Sequence, residues 1–173
     1  MDETARRVLD AAESLFYERG IQAVGMDEIR NASGVSLKRL YLLFPSKERL
    51  VVGYLERRDK RWRESLATYV QEHDGDKVML VFDWLHNWFS EPDFRGCAFI
   101  NSFGEMGTTS TAINAIVRHH KDELKRYIEG LVHDPVLAWQ VLLLIDGAST
   151  LAAINGDPGA AHHAKAAAAV LIR

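Results

Sequence analysis

Residues 26–47, MDEIRNASGVSLKRLYLLFPSK, constrain this chain more than any other stretch, because they prescribe two short helices with a sharp bend between them. Gly25 is a tolerated N-cap and Glu28 stands three residues on, the spacing of a capping box. Met26, Ile29 and Ala32 are the apolar positions of the first helix. Gly34 follows, and its access to positive φ suits the bend. Ser36 caps the second helix, where Leu37, Leu40, Tyr41 and Phe44 recur at helical spacing and form the predicted inward face. Lys38 and Arg39 fall on the side left to solvent. Pro45 disfavours helical geometry at Phe44, which ends the helix, and Ser46 opens the next with Lys47 and Glu48 in its first turn. A short helix that buries one side and offers two long cations on the other has the form that a DNA major groove accepts.

The totals agree with that reading. At 173 residues, 47% of them apolar, the chain builds one large or two small domains with a real core. The net charge of −3 divides unevenly: residues 1–63 hold 13 Lys and Arg against 10 Asp and Glu, and the rest hold 8 against 14. The front half is therefore +3 and the remainder −6, a sign that favours a nucleic-acid partner for the front half only. One cysteine, Cys97, excludes an internal disulfide framework, and the N-terminus does not read as a signal peptide, so a cytoplasmic protein is expected.

The remaining periodicity is helical throughout and predicts an all-α, nine-helix, two-domain chain. A first helix over 3–19 carries Ala5, Val8, Leu9, Ala12, Leu15 and Phe16 on one stripe and ends at Gly20. Arg6 and Arg7 at its start either reach a phosphate or stay solvated. A fourth helix over 46–72 links a DNA-binding domain, 1–46, to a second domain, 47–173; Glu56 and Lys60 are its expected surface pair. A fifth, 77–90, is too broadly apolar for one packing stripe, and a short sixth spans 97–103. A seventh covers 109–132. Asp134-Pro135 and Asp157-Pro158 each place Asp at N-cap and Pro at N1 of the eighth and ninth. The eighth is apolar almost all round, but Gln140, Asp146, Ser149, Thr150 and Asn155 interrupt it, which argues against a membrane span and for burial in an interface. The small side chains of the ninth allow the close approach that a homodimer through helices 8 and 9 needs.

Over residues 5–52 the chain resembles the DNA-binding domain of the tetracycline-repressor (TetR) family of bacterial transcription regulators. The resemblance rests on Ala11-Ala12, Leu15-Phe16, Gly20, Ile29, Gly34-Val35-Ser36, Leu40-Tyr41, Phe44 and Ser46-Lys47-Glu48 at fixed spacing. It departs at Val24-Gly25, Lys38, Arg39 and Leu43, which leaves the fold alone and the operator sequence unspecified. The resemblance implies a dimer on palindromic double-stranded operator DNA, with Ser36, Leu37, Lys38, Arg39, Tyr41 and Lys47 at the contact. Arg39 or Lys38 would read guanine, while Tyr41 and Lys47 would hold phosphates and set register.

It also implies a small hydrophobic or aromatic effector inside the second domain. Trp84, Trp88, Phe99, Phe103 and Trp139 are the apolar candidates there, with Asn101, Glu105, His120 and Asp146 as polar anchors. Periodicity cannot separate a pocket from plain core packing, and for any one aromatic core packing is the better reading. Asp146, in an apolar helix, must find a hydrogen-bond partner or a cation under either reading. No metal site, cofactor or catalytic constellation is expected: His119-His120 and His162-His163 are adjacent and point apart, and Cys97 reads as a small buried hydrophobe. Two alternatives stay open, a DNA-binding regulator without an effector and an all-α small-molecule-binding protein with a vestigial DNA-binding domain.

Overall fold

The computed structural model describes residues 2–172, and among these it is all-α. The elements are α1 (Glu3–Arg19), α2 (Met26–Ser33), α3 (Leu37–Leu43), α4 (Lys47–Glu72), α5 (Lys77–Phe89), α6 (Ala98–Ser102), α7 (Thr111–Val132), α8 (Pro135–Asn155) and α9 (Ala160–Leu171). One π-helical turn, Phe103–Gly107, continues α6.

The chain folds as two compact units. The first comprises residues up to Asp59 together with Ala98–Arg118, and the second comprises Lys60–Cys97 and the residues from His119 onward. The borders fall inside α4 and α7, so each of these helices contributes a part to each unit.

In the first unit, Val8, Ala12 and Phe16 of α1, Ile29 of α2, Leu40 of α3 and Leu50, Val51 and Tyr54 of α4 make the core. Gly34 takes φ +65 and its N–H donates to the Arg30 carbonyl, closing α2 and turning the chain toward α3. Glu28 Oε1 accepts from the Gly25 N–H at 3.1 Å, the predicted capping box, and the Arg19 guanidinium meets its other oxygen at 2.6 Å. Arg57 of α4 reaches Asp10 and Glu13 of α1 at 2.6 and 2.7 Å, and Arg58 shares Glu13 at 3.0 Å.

In the second unit α5 buries eight side chains, because α8 and α9 both pack on it. Asp134 caps α8 as expected, accepting from Val136 N and Leu137 N. The α9 start differs from the expectation. Asp157 closes a turn by accepting from Gly159 N at 2.8 Å, and the helix begins at Ala160 without a side-chain cap. The surface pair on α4 also differs, since Lys60 turns to Glu64 at 3.8 Å rather than to Glu56. Glu64 follows Lys60 by one helical turn as Glu56 precedes it, so spacing permits either partner.

Candidate nucleic-acid interface

α3 is held by its N-cap, where Ser36 Oγ accepts from Arg39 N at 3.3 Å, and by Leu40, which is fully buried. The inward face is narrower than the sequence suggested. Leu37 is 41% and Tyr41 44% exposed, and Phe44 is half-buried. With only seven residues, α3 presents less than two full turns, and one apolar position anchors it where four had been expected. Ser36, Leu37, Lys38, Arg39 and Tyr41 therefore share one exposed element, and Leu42 joins them in solvent. Lys47 stands in the first turn of α4, half-buried, and this burial lowers its ammonium pKa against the opposing pull of Glu105 and Glu28.

Two contacts around this surface had no sequence signal. Arg39 Nη2 meets the carboxylate of Asp2, which also caps α1, at 2.7 Å. A backbone hydrogen bond from Thr4, and then that one from Arg39, hold the Asp2 carboxyl below the usual range. Arg7, one of the arginines left open between phosphate and solvent, donates to the Ser33 carbonyl at the end of α2. The geometry is thus a three-helix unit whose second short helix exposes Lys38 and Arg39 as one cationic edge.

Residues 8–53 match the family model described as bacterial regulatory proteins, tetR family. Over that stretch the chain matches the TetR family. An HTH-type transcriptional regulator of Mycobacterium tuberculosis is 46% identical over 57 residues, covering 33% of this chain and 28% of that protein. The HTH-type transcriptional activator FasR of Mycolicibacterium smegmatis is 32% identical over 112 residues, covering 53% of this chain and 50% of its own length. These alignments thus cross half or less of either relative. A solved TetR-family transcriptional regulator from Streptomyces coelicolor shares the fold, with a TM-score of 0.90 at 24% identity over 99% of this chain and 89% of that one.

The effector candidates are distributed over both units. Trp84, Trp88 and His120 come together in the second, where Trp62 meets their rings edge-on at 4.8, 5.5 and 5.3 Å. Trp84 Nε1 donates to Ser65 Oγ at 3.2 Å, so its polar end is satisfied inside the unit. Asp146, half-buried, meets a cation, Lys121 Nζ at 2.6 Å, which also lies 3.7 Å from Cys97 Sγ. Trp139 is exposed, with Lys125 Nζ 5.6 Å from its ring.

Phe99, Asn101, Phe103 and Glu105 lie in the first unit. Phe99 is buried there and Asn101 is exposed. Phe103 is exposed too, and its ring covers Gly107, where a Cβ would meet it at 2.3 Å. Glu105 latches the loop between α1 and α2. Its carboxylate accepts from Ile21 N at 3.0 Å and Gln22 N at 2.8 Å, and its carbonyl accepts from Gln22 Nε2 at 2.6 Å. Gly20, at φ +86, lets that carboxylate approach, since a Cβ there would sit 3.2 Å from Oε2.

An open groove of about 460 Å³ runs along the second unit between the Lys60–Ala67 stretch of α4 and the Glu123–Tyr127 stretch of α7. Its residues were not among the effector candidates. Its charged rim reads in sequence as solvated helix faces, and only the fold brings the two faces together. Among the described residues no three His, Cys, Asp or Glu side chains stand close enough to share a metal ion.

Proposed function

We propose that this chain is a DNA-binding transcription regulator that occupies a palindromic operator as a homodimer and represses until an effector releases it. The observation that carries the reading is the exposed cationic edge of α3, Lys38 and Arg39, on a short helix anchored by Leu40 in a TetR-family unit. An α-helix of that size fits the major groove, with Arg39 or Lys38 reading guanine and Tyr41 and Lys47 on phosphates. In this division of labour residues 1–46 bind DNA and 47–173 bind effector and partner, in the cytoplasm.

The partner is a second copy. Val136, Leu143, Leu151 and Ile154 of α8 and Val170 of α9 leave an exposed apolar surface that a two-fold mate would cover. Two recognition helices then need a separation of about 34–36 Å, one turn of DNA. α4 and α7 each run from one unit into the other, so a ligand held on their second-unit parts acts on helices that continue into the first. It shifts operator binding only by the ratio of its affinities for the free and the DNA-bound protein.

A second reading, activation, is favoured by the M. smegmatis relative, whose name is that of an activator. Selection from a random duplex pool tests the DNA reading, and a reporter behind the enriched site tests its direction. Enrichment of an inverted repeat with half-site centres about 10 base pairs or a multiple apart is expected. A pool that stays random would overturn the regulator assignment.

A further inference from the structure

Successive residues of α3 turn about 100° around the helix axis, so the anchored one sets the bearing of the rest. Leu40 points into the core and is fully buried. Lys38 stands two residues before it and Leu42 two after, each about 200° round, which puts both within about 20° of the outermost line of the helix. Leu37 and Tyr41 lie to one side of that line, and Arg39, paired with Asp2, lies to the other. Leu42 is 69% exposed, more than any other large apolar side chain described in the first unit.

A single exposed leucine is ordinary on a protein surface. This one shares the leading edge of a cationic helix with Lys38, about 6 Å from it along the axis. The floor of a major groove offers such a side chain very little. Guanine and adenine present N7 beside a carbonyl or an amino group, cytosine presents its amino group, and thymine alone adds an apolar C5 methyl. A leucine pressed on the first three strips water from polar atoms and returns no hydrogen bond. Against the methyl it buries apolar surface on both partners.

We infer that Leu42 is a specificity-determining residue that reads the C5 methyl of a thymine within about two base pairs of the guanine under Lys38 or Arg39. The spacing follows from a rise of about 3.4 Å per base pair set against the ~6 Å between Lys38 and Leu42. Leu42 acts in this way only where α3 enters DNA, so the assignment rests on the regulator reading above and adds one base to each half-site.

Anisotropy titration of the selected duplex tests it, with deoxyuridine in place of each half-site thymine in turn. The exchange removes the methyl and keeps the base pair. One position near the guanine should lose about fourfold in affinity, and exchange in both half-sites roughly fifteenfold. Leu42→Ala, at an exposed position, should keep the helix content of the wild type, bind the thymine duplex more weakly, and bind the thymine and deoxyuridine duplexes alike. Equal affinity for the two duplexes at every position, a difference that Leu42→Ala retains, or a selected half-site with no thymine within about two base pairs of guanine would overturn the assignment and leave DNA binding in place. A pool that yields no enriched duplex would overturn both the assignment and the regulator reading.

Discussion

The edge of α3 and the outer face of α8–α9 both stand in solvent, and both expose large apolar groups, yet they call for different partners. On α3, Leu37, Tyr41 and Leu42 are interleaved with Lys38 and Arg39. On α8, Leu143 is 67% and Ile154 72% exposed, with Val136 and Leu151 on the same helix. Exposed apolar area alone is common on protein surfaces and says little. What separates the two is the charge woven into it. Paired cations on a short helix are matched by a polyanion with a groove, whereas an apolar face on a long helix is matched by another such face.

Leu143→Glu breaks the comparison most severely. A charge in the middle of the α8 face should yield a monomer by light scattering and weaken operator binding on the order of 10²-fold or more through lost avidity. The monomer fold should survive, because the position is exposed. An intact dimer would remove the self-association reading of that face.

On α3, Arg39→Ala should cost about 1–3 kcal/mol of discrimination between the selected operator and random DNA, with helix content by circular dichroism unchanged. Equal discrimination would show that Arg39 serves the Asp2 pair and no base. Lys47→Ala should weaken binding to every duplex alike and lower the slope of log affinity against log salt by about 1.

Glu105→Ala sharpens the difference between surface and support. It leaves Ile21 N and Gln22 N without their acceptor and should cost about 1–3 kcal/mol in chemical denaturation. Unaltered stability would mean that water replaces the latch at no cost. The smallest effect is a pH dependence at Glu28, whose carboxyl the Gly25 N–H and then Arg19 hold below the ordinary glutamate range. A lowered folded pKa contributes stability that is present above the unfolded value and is lost as pH falls through the folded one. Glu28→Gln should therefore flatten the acid side of the stability profile, and an identical acid limb would refute that.

The three-helix unit was legible because local chemistry dictates it. Ser36, Gly34 and Glu28 cap or turn their own neighbours, and their bonds span three or four residues. Asp134 marked the start of α8 for the same reason. What escaped depends on partners distant in the chain. Glu105 bonds backbone groups 83 and 84 residues away from a π-helical turn that contains Gly104 and Gly107, and no side-chain period announces such a bond. The aromatic residues were visible as a set, but periodicity cannot tell a ring packed on Trp62 from one lining a cavity. The groove was hidden most deeply, since Lys60, Arg63 and Arg126 become one rim only when α4 and α7 lie side by side.

The most direct measurement is the salt dependence of duplex binding by fluorescence anisotropy, for the wild-type chain and for a Lys38→Ala, Arg39→Ala double variant. If the α3 edge engages DNA, wild-type affinity for the selected operator falls steeply and linearly in log–log form, with a slope of several units, and the variant loses both affinity and about two units of slope. Binding that is absent at low salt, or equal in the two proteins across the series, would contradict it.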